Sequence, residues 1–150
     1  MVEDEVLIRY ISKLLSDKTF EQMEPEEIAN LLADYWSAIK DLYSRCFNPS
    51  ERANYTLLKH NGIAAFTYLF PTVYSICARK ASINYETMKE LLSYLQEEVD
   101  SSDLDPDFRR PIDELWWSRA HGPSIARTGG EAAFNIVAKN MAKKIQIVHR

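Results

Sequence analysis

The sequence predicts a protein built almost entirely from α-helices. Glycine and proline number only 4 and 6 among 150 residues, too few turn-forming residues for a many-stranded β-sandwich or barrel. Apolar residues recur every three or four positions through most of the chain, which is the spacing of one helix face. The composition is that of a globular protein, 46% hydrophobic and 27% charged. We therefore expect residues 1–150 to form a single-domain, all-α bundle of about six helices.

Two amphipathic helices are predicted in the first third of the chain. Residues 3–16 carry an apolar stripe and form the first. Residues 25–46 form the second, and Pro25 marks its beginning because proline lacks a donor that is unused there. After this helix, residues 55–58 fit either a short helical segment or an extended one.

The remaining helices follow from breaks and caps. A break at residues 60–62 precedes an apolar helix over 62–80, which Pro71 should kink by removing one hydrogen bond. Asn84 is the expected N-cap of a helix over 85–100. Residues 101–111 read as a solvated loop, 112–120 as a short helix, and 131–149 as a final basic helix. No internal repeat or domain linker interrupts this order.

Several classes of protein are excluded. The acidic N-terminus, residues 1–5, resembles neither a signal nor a transit peptide, and the apolar stretch 61–78 is too polar for a membrane span. Cys46 and Cys77 are expected to be buried free thiols, with a disulfide between them as the alternative. We expect a cytoplasmic protein that does not associate with membranes.

No catalytic or metal-binding set is recognisable. The histidines, at positions 60, 121 and 149, are too far apart in sequence to supply the spacing of a zinc site. The chain also lacks the serine elbow of hydrolases and the glycine-rich phosphate loop that ends in Gly-Lys-Ser/Thr. We expect no catalytic residue, metal or cofactor, and a non-enzymatic role is favoured over an enzymatic one.

Charge is unevenly distributed along the chain. The net charge is −4, yet residues 97–107 carry six acidic and no basic residues, and basic residues dominate after Trp117. Such an asymmetry marks either an anion-binding end or an internal match between an acidic loop and a basic helix. Both interpretations stay open.

The segment 116–131 is the one unusual stretch, with three of the four glycines and two of the three tryptophans. A glycine-bearing turn that opens a helix exposes backbone N–H groups, which suit phosphate or carboxylate. The candidate anion- or nucleic-acid-binding residues are Arg119, His121, Arg127, Gly129, Gly130, Lys139, Lys143 and Lys144. Glu131 in the first helical turn would compete for the same donors, and glycines also serve ordinary tight turns.

Exposed aromatic residues are the second candidate surface. The residues chosen for contact with a partner are Trp36, Tyr43, Trp116 and Trp117. Neighbours on a helix point about 100° apart, which would leave one of Trp116 and Trp117 partly exposed and available to a partner. Packing of both tryptophans in the core is the favoured interpretation of this pair.

The order of these features resembles a known family. Residues 55–66 (YTLLKHNGIAAF), a hydrophobic helix, a tryptophan segment and residues 129–134 (GGEAAF) resemble the C-terminal helical region of DGQHR-domain proteins. That family includes the DndB-like proteins associated with DNA phosphorothioation and with other mobile or defence loci. The resemblance covers residues 35–80 and 108–145, but the Asp-Gly-Gln-His-Arg motif and the α/β part that carries it are absent.

The resemblance implies a helical module that binds nucleic acid or a protein of a DNA-modification, defence or mobile-element system. It supplies no catalytic residue that this chain could inherit. One alternative is a homodimeric or larger assembly protein that uses aromatic helix faces and binds no nucleic acid. Another is a small phosphate- or nucleotide-binding protein that uses the turn 119–131.

Overall fold

The protein is all-α, as predicted. A computed structural model describes residues 11–14 and 16–150. These residues form no β-strand, although one isolated antiparallel bridge joins Tyr55 to Ser118. The helices are α1 (Lys18–Glu21), α2 (Pro25–Leu42), α3 (Ser44–Phe47), α4 (His60–Arg79), α5 (Tyr85–Ser93) and α6 (Glu131–His149). α4 packs against α6 and α2 packs against α5, and loops cover the remaining core.

The predicted helix 3–16 lies mostly outside the described residues. Residues 11–14 are helical, and Leu14 is buried in the main core. Ser16, the predicted last residue, lies in a turn, and the rest of this prediction falls outside the described residues.

The predicted helix 25–46 is divided in two. Pro25 occupies the first turn of α2, as expected, and Glu26 and Glu27 follow it, where carboxylates interact favourably with the helix dipole. At Tyr43 the backbone leaves the helical region (φ −127°, ψ 45°) before α3 begins. The Tyr43 hydroxyl donates to the carbonyl of Ile112 at 2.6 Å, so a long-range hydrogen bond accompanies the interruption.

α4 begins two residues before its predicted start. The expected break at 60–62 is its first turn, where Gly62 passes so close to the preceding loop that a Cβ would lie 1.9 Å from the Leu57 carbonyl oxygen. The helix continues through Pro71 without interruption, although proline leaves the Thr67 carbonyl without its helical donor. The kink predicted there stays a prediction.

The N-cap predicted at Asn84 is confirmed. Its Oδ1 accepts a hydrogen bond from the backbone N–H of Thr87 at 2.8 Å. α5 is shorter than the predicted 85–100, because it ends at Ser93 and a 3₁₀ turn, Tyr94–Gln96, follows.

The loop 101–111 is not simply solvated. Leu104 and Phe108 are buried in the core. The loop is also attached to α6, where Asn140 accepts a hydrogen bond from the backbone N–H of Asp105 at 3.0 Å and donates to its carboxylate at 3.1 Å.

The helix predicted over 112–120 is absent. This stretch is a series of turns, in which Asp113 accepts from the backbone N–H of Trp116 at 3.1 Å. Without helical geometry, the side chains of Trp116 and Trp117 can both enter the core, and Leu115 is left 58% exposed. The favoured interpretation, core packing of both tryptophans, is therefore confirmed, and the partial exposure of one of them is wrong.

The two cysteines are free and buried. Burial raises the pKa of Cys46 to about 12 and also raises that of Cys77. The structure has no disulfide between them, as the favoured interpretation expected, and both thiols act as small apolar groups of the core.

Candidate anion-binding site

A cavity of about 360 Å³, which we call the basic pocket, collects cationic side chains from distant parts of the chain. It is lined by Thr56, Lys59, Asn61, Arg119 and Arg127. Three of these five residues are cationic and none is acidic. Two of them, Arg119 and Arg127, were predicted from the sequence.

Three short segments form the walls of the basic pocket: residues 56–61, 117–119 and 124–128. The Tyr55–Ser118 bridge brings the first two together. At this bridge the backbone N–H of Thr56 donates to the carbonyl of Trp117 at 2.8 Å. The pocket therefore depends on a pairing between residues about sixty positions apart.

The third wall is attached to the first through Asn61. Its side-chain amide donates to the carbonyl of Thr128 at 2.8 Å. This bond uses the nitrogen of the Asn61 amide, and the amide oxygen makes no hydrogen bond among the described residues. The third wall itself is the 3₁₀ turn Ser124–Arg127.

The two arginines are held in place by backbone carbonyls. Nη1 of Arg127 donates to the carbonyl of Gly122 at 2.7 Å and, more weakly, to that of Arg119 at 3.3 Å. The backbone N–H of Arg119 donates to the carbonyl of Asn54 at 2.8 Å. A guanidinium has five N–H donors, so Arg127 keeps several for a ligand while its position is already fixed.

The start of α4 adds positive potential to the basic pocket. Lys59 precedes the helix with no side-chain cap, and the first turn contains no acidic residue. The backbone N–H groups of His60 and Asn61 make no hydrogen bond among the described residues. A 20-residue helix carries a partial positive charge at this end, so the backbone and the side chains favour the same ligand charge.

No protein-family model, curated protein or solved structure matches this chain. The resemblance to DGQHR-domain proteins therefore stays a prediction. Among the described residues, no helix is both long and apolar enough to cross a membrane, and no three His, Cys, Asp or Glu side chains are grouped as metal ligands.

The glycine-bearing turn before α6 does not itself line the basic pocket. Gly130 precedes α6 with φ 101°, a conformation that favours glycine, and Gly129 is exposed beside it. The Glu131 carboxylate next to them accepts from Nζ of Lys13 at 2.9 Å and from the hydroxyl of Tyr68 at 2.8 Å. The cationic pocket thus lies at the start of α4, and the start of α6 carries a carboxylate.

The other predicted cationic residues are dispersed. His121 is exposed after the second wall but does not line the cavity, and Lys139 and Lys143 are exposed along α6. Lys144 is fully buried, and its ammonium donates to the carbonyl of Arg110 at 2.7 Å. Its predicted place in an anion-binding surface does not fit this burial, because no part of the side chain reaches solvent.

Lys144 supports the internal match between the acidic loop and the basic helix. Burial lowers the pKa of Lys144 to about 8, although the nearby carboxylates of Glu97, Asp113 and Glu98 oppose that shift. One cation of the basic helix therefore interacts electrostatically with acids of the protein, although it forms no ion pair with them among the described residues. The exposed Lys139 and Lys143 form no ion pair among the described residues.

The predicted partner-binding aromatics are mostly part of the core. Tyr43, Trp116 and Trp117 are all at most 1% exposed. Trp117 packs on Phe66, with ring centroids 5.6 Å apart, and its indole N–H has no hydrogen-bond partner among the described residues. Only Trp36 is partly exposed, and its ring lines a separate apolar cavity of about 340 Å³.

Sequence reasoning missed Thr56, Lys59 and Asn61. The sequence did contain a signal for a positively charged helix start. Lys59 directly precedes a long apolar segment, and the next turn has no Asp or Glu. Residues 60–62 were instead interpreted as a break between helices. As a result, the sequence analysis did not place a helix start at His60, next to Lys59 and the basic pocket.

Proposed function

We propose that this protein is a non-enzymatic helical module that binds nucleic acid through the basic pocket. The observation that carries the proposal is the convergence of Lys59, Arg119 and Arg127 around one cavity without an acidic lining residue. Phosphate groups are the common anions that match such a cluster, and arginine contacts them with two parallel hydrogen bonds.

The sign of the local charge supports this role. The whole chain carries a net charge of −4, so gathered cations are not a simple consequence of a basic composition. Arg119 and Arg127 are held by backbone carbonyls and not by carboxylates. Their charge is therefore available to a ligand.

The chemistry of the lining favours binding over catalysis. The basic pocket supplies ammonium, guanidinium, amide and hydroxyl groups, but no carboxylate or imidazole lines it to act as a general base. We therefore expect bound DNA or RNA to be released intact after prolonged incubation.

The experiment is a titration of a fluorescent single-stranded oligonucleotide, followed by anisotropy at several salt concentrations. With three phosphate contacts, the slope of log K against log salt should be about −2 for a single strand. Lys59→Gln should weaken binding and make that slope shallower, since one contact is lost.

Arg79→Gln is the matched control. Arg79 is exposed at the other end of α4, about 27 Å from Asn61 by the rise of a helix. The change in net charge is identical, and binding should be nearly unaffected. Absence of binding to single- and double-stranded DNA and RNA at low salt would overturn the proposal.

The cellular setting in a DNA-modification, defence or mobile-element system rests on the resemblance to DGQHR-domain proteins. Deletion of the gene should then alter the restriction of incoming DNA. Unchanged plasmid transformation and phage sensitivity would argue against the setting without touching the binding proposal.

A further inference from the structure

Three segments that are hydrogen-bonded to one another supply the side chains that line the basic pocket. Hydrogen bonds connect the wall 56–61 to both of the others, through Thr56 to the wall 117–119 and through Asn61 to the wall 124–128. Nη1 of Arg127 in turn reaches the carbonyl of Arg119. The three walls are thus attached to one another in a ring.

Attachment of the three walls to one another favours a cup over a groove. A polymer backbone that ran through the cavity would have to enter on one side and leave on the other, across one of these hydrogen-bonded walls. A group at the end of a chain needs only the mouth of the cup. The shape therefore favours a terminal phosphate over an internal one.

The charge of the cup points to the same group. An internal phosphodiester carries one negative charge and two free oxygens, whereas a terminal phosphate monoester carries a charge of about −1.5 to −2 and three acceptor oxygens. Lys59, Arg119 and Arg127 supply three cations at the cavity. The volume of about 360 Å³ also lies within the range of sites that hold small organic ligands.

We propose that the basic pocket binds the terminal phosphate of a nucleic-acid strand. This inference rests on the proposed function and specifies which phosphate the site selects. Arg119 and Arg127 bind its oxygens, and Lys59, in the wall 56–61, neutralises its second charge.

The test compares two single-stranded oligonucleotides that share one sequence and a 3′ fluorophore, one with a 5′-phosphate and the other with a 5′-hydroxyl. The phosphorylated strand should bind about tenfold or more tightly, because charge-assisted hydrogen bonds are gained at the end of the chain. Arg127→Gln and Lys59→Gln should each reduce that ratio towards one. Arg79→Gln should preserve it.

The variants are chosen so that a folding defect cannot imitate the result. Arg127→Gln removes hydrogen bonds to two carbonyls and is read together with circular dichroism. The Lys59 side chain makes no hydrogen bond among the described residues, and it is exposed. Its substitution changes the charge of the cup without removing a structural contact.

The outcomes separate this inference from the proposed function. Equal binding of the two oligonucleotides would overturn terminal selection and leave nucleic-acid binding intact. Absence of binding by either strand at low salt would overturn both. Tighter binding of a phosphoserine peptide than of the phosphorylated strand would overturn the claim that the ligand of the basic pocket is a nucleic acid.

Discussion

Lys144 gives the protein a stability that rises with pH in the alkaline range. Its side chain is fully buried, and the loss of hydration lowers its pKa to about 8 from the 10.5 of an exposed lysine. The native state therefore binds fewer protons than the unfolded state between these two values. Since stability rises with pH wherever the unfolded state binds more protons, the free energy of unfolding should increase through this window.

The magnitude follows from the two pKa values. A difference of about 2.5 pH units corresponds to about 3 kcal/mol, the cost of burying the charged ammonium near neutral pH. Between pH 7 and 9.5, about 2 kcal/mol of this cost disappears as the native lysine loses its proton. Below pH 7 the cost is fully present and constant.

The assay is urea denaturation of the wild type and of Lys144→Met at pH 7 and at pH 9.5. The wild type should gain about 2 kcal/mol relative to the variant over this interval. At pH 7 alone the two effects of the substitution oppose each other, because it removes a costly charge but leaves the Arg110 carbonyl without a donor. The change with pH, and not the stability at one pH, is therefore the test.

Lys143→Met is the control, because Lys143 is exposed on the same helix and loses the same charge. It should follow the wild type across the pH range. If the free energy of unfolding changes with pH in the same way for the wild type and Lys144→Met, the reasoning is refuted. Such a result would mean that burial does not lower the pKa of Lys144.

Two further predictions concern the core. Gly62→Ala should destabilise the protein by about 3 kcal/mol in urea denaturation, because its Cβ would lie 1.9 Å from the backbone oxygen of Leu57. The control Gly129→Ala should destabilise it far less, because a Cβ there meets open space. Equal losses of stability in the two variants would contradict the close approach at Gly62. Cys46 and Cys77 should resist a thiol reagent at pH 8 in the native protein and react fully in denaturant, because burial raises the pKa of both thiols. Rapid reaction of the native protein would contradict their burial.

Elements with a strong local signal could be predicted from the sequence. α2 begins at Pro25, α5 is capped by Asn84 and α6 follows Gly130, each as expected. In these cases the residue that starts the helix acts on its own neighbouring backbone, so the sequence within one turn contains the cause.

The segment 112–120 could not be predicted in the same way. Its apolar residues suit a helix, yet the backbone turns so that both tryptophans reach the core. The indole N–H of Trp116 donates to the carbonyl of Asp107 at 2.9 Å, a contact with a loop that sequence reasoning considered solvated. Tertiary packing outweighed local propensity here.

Only two of the five residues that line the basic pocket were named from the sequence, for a related reason. Arg119 and Arg127 lie in one segment and were chosen together, whereas Lys59 comes close only through the Tyr55–Ser118 bridge. No local sequence pattern predicts a pairing between positions so far apart in the chain. Lys144 is different, because its position three residues after Met141 and seven after Val137 places it on the buried face of α6.

The most direct test of the account is an NMR titration of ¹⁵N-labelled protein with a 5′-phosphorylated oligonucleotide. We predict that the largest chemical-shift changes occur at the backbone amides of His60 and Asn61 and at the side-chain N–H groups of Arg119 and Arg127. These groups are the free donors of the basic pocket. Shifts confined to the exposed lysine face of α6, or absent throughout, would contradict the claim that this pocket binds phosphate.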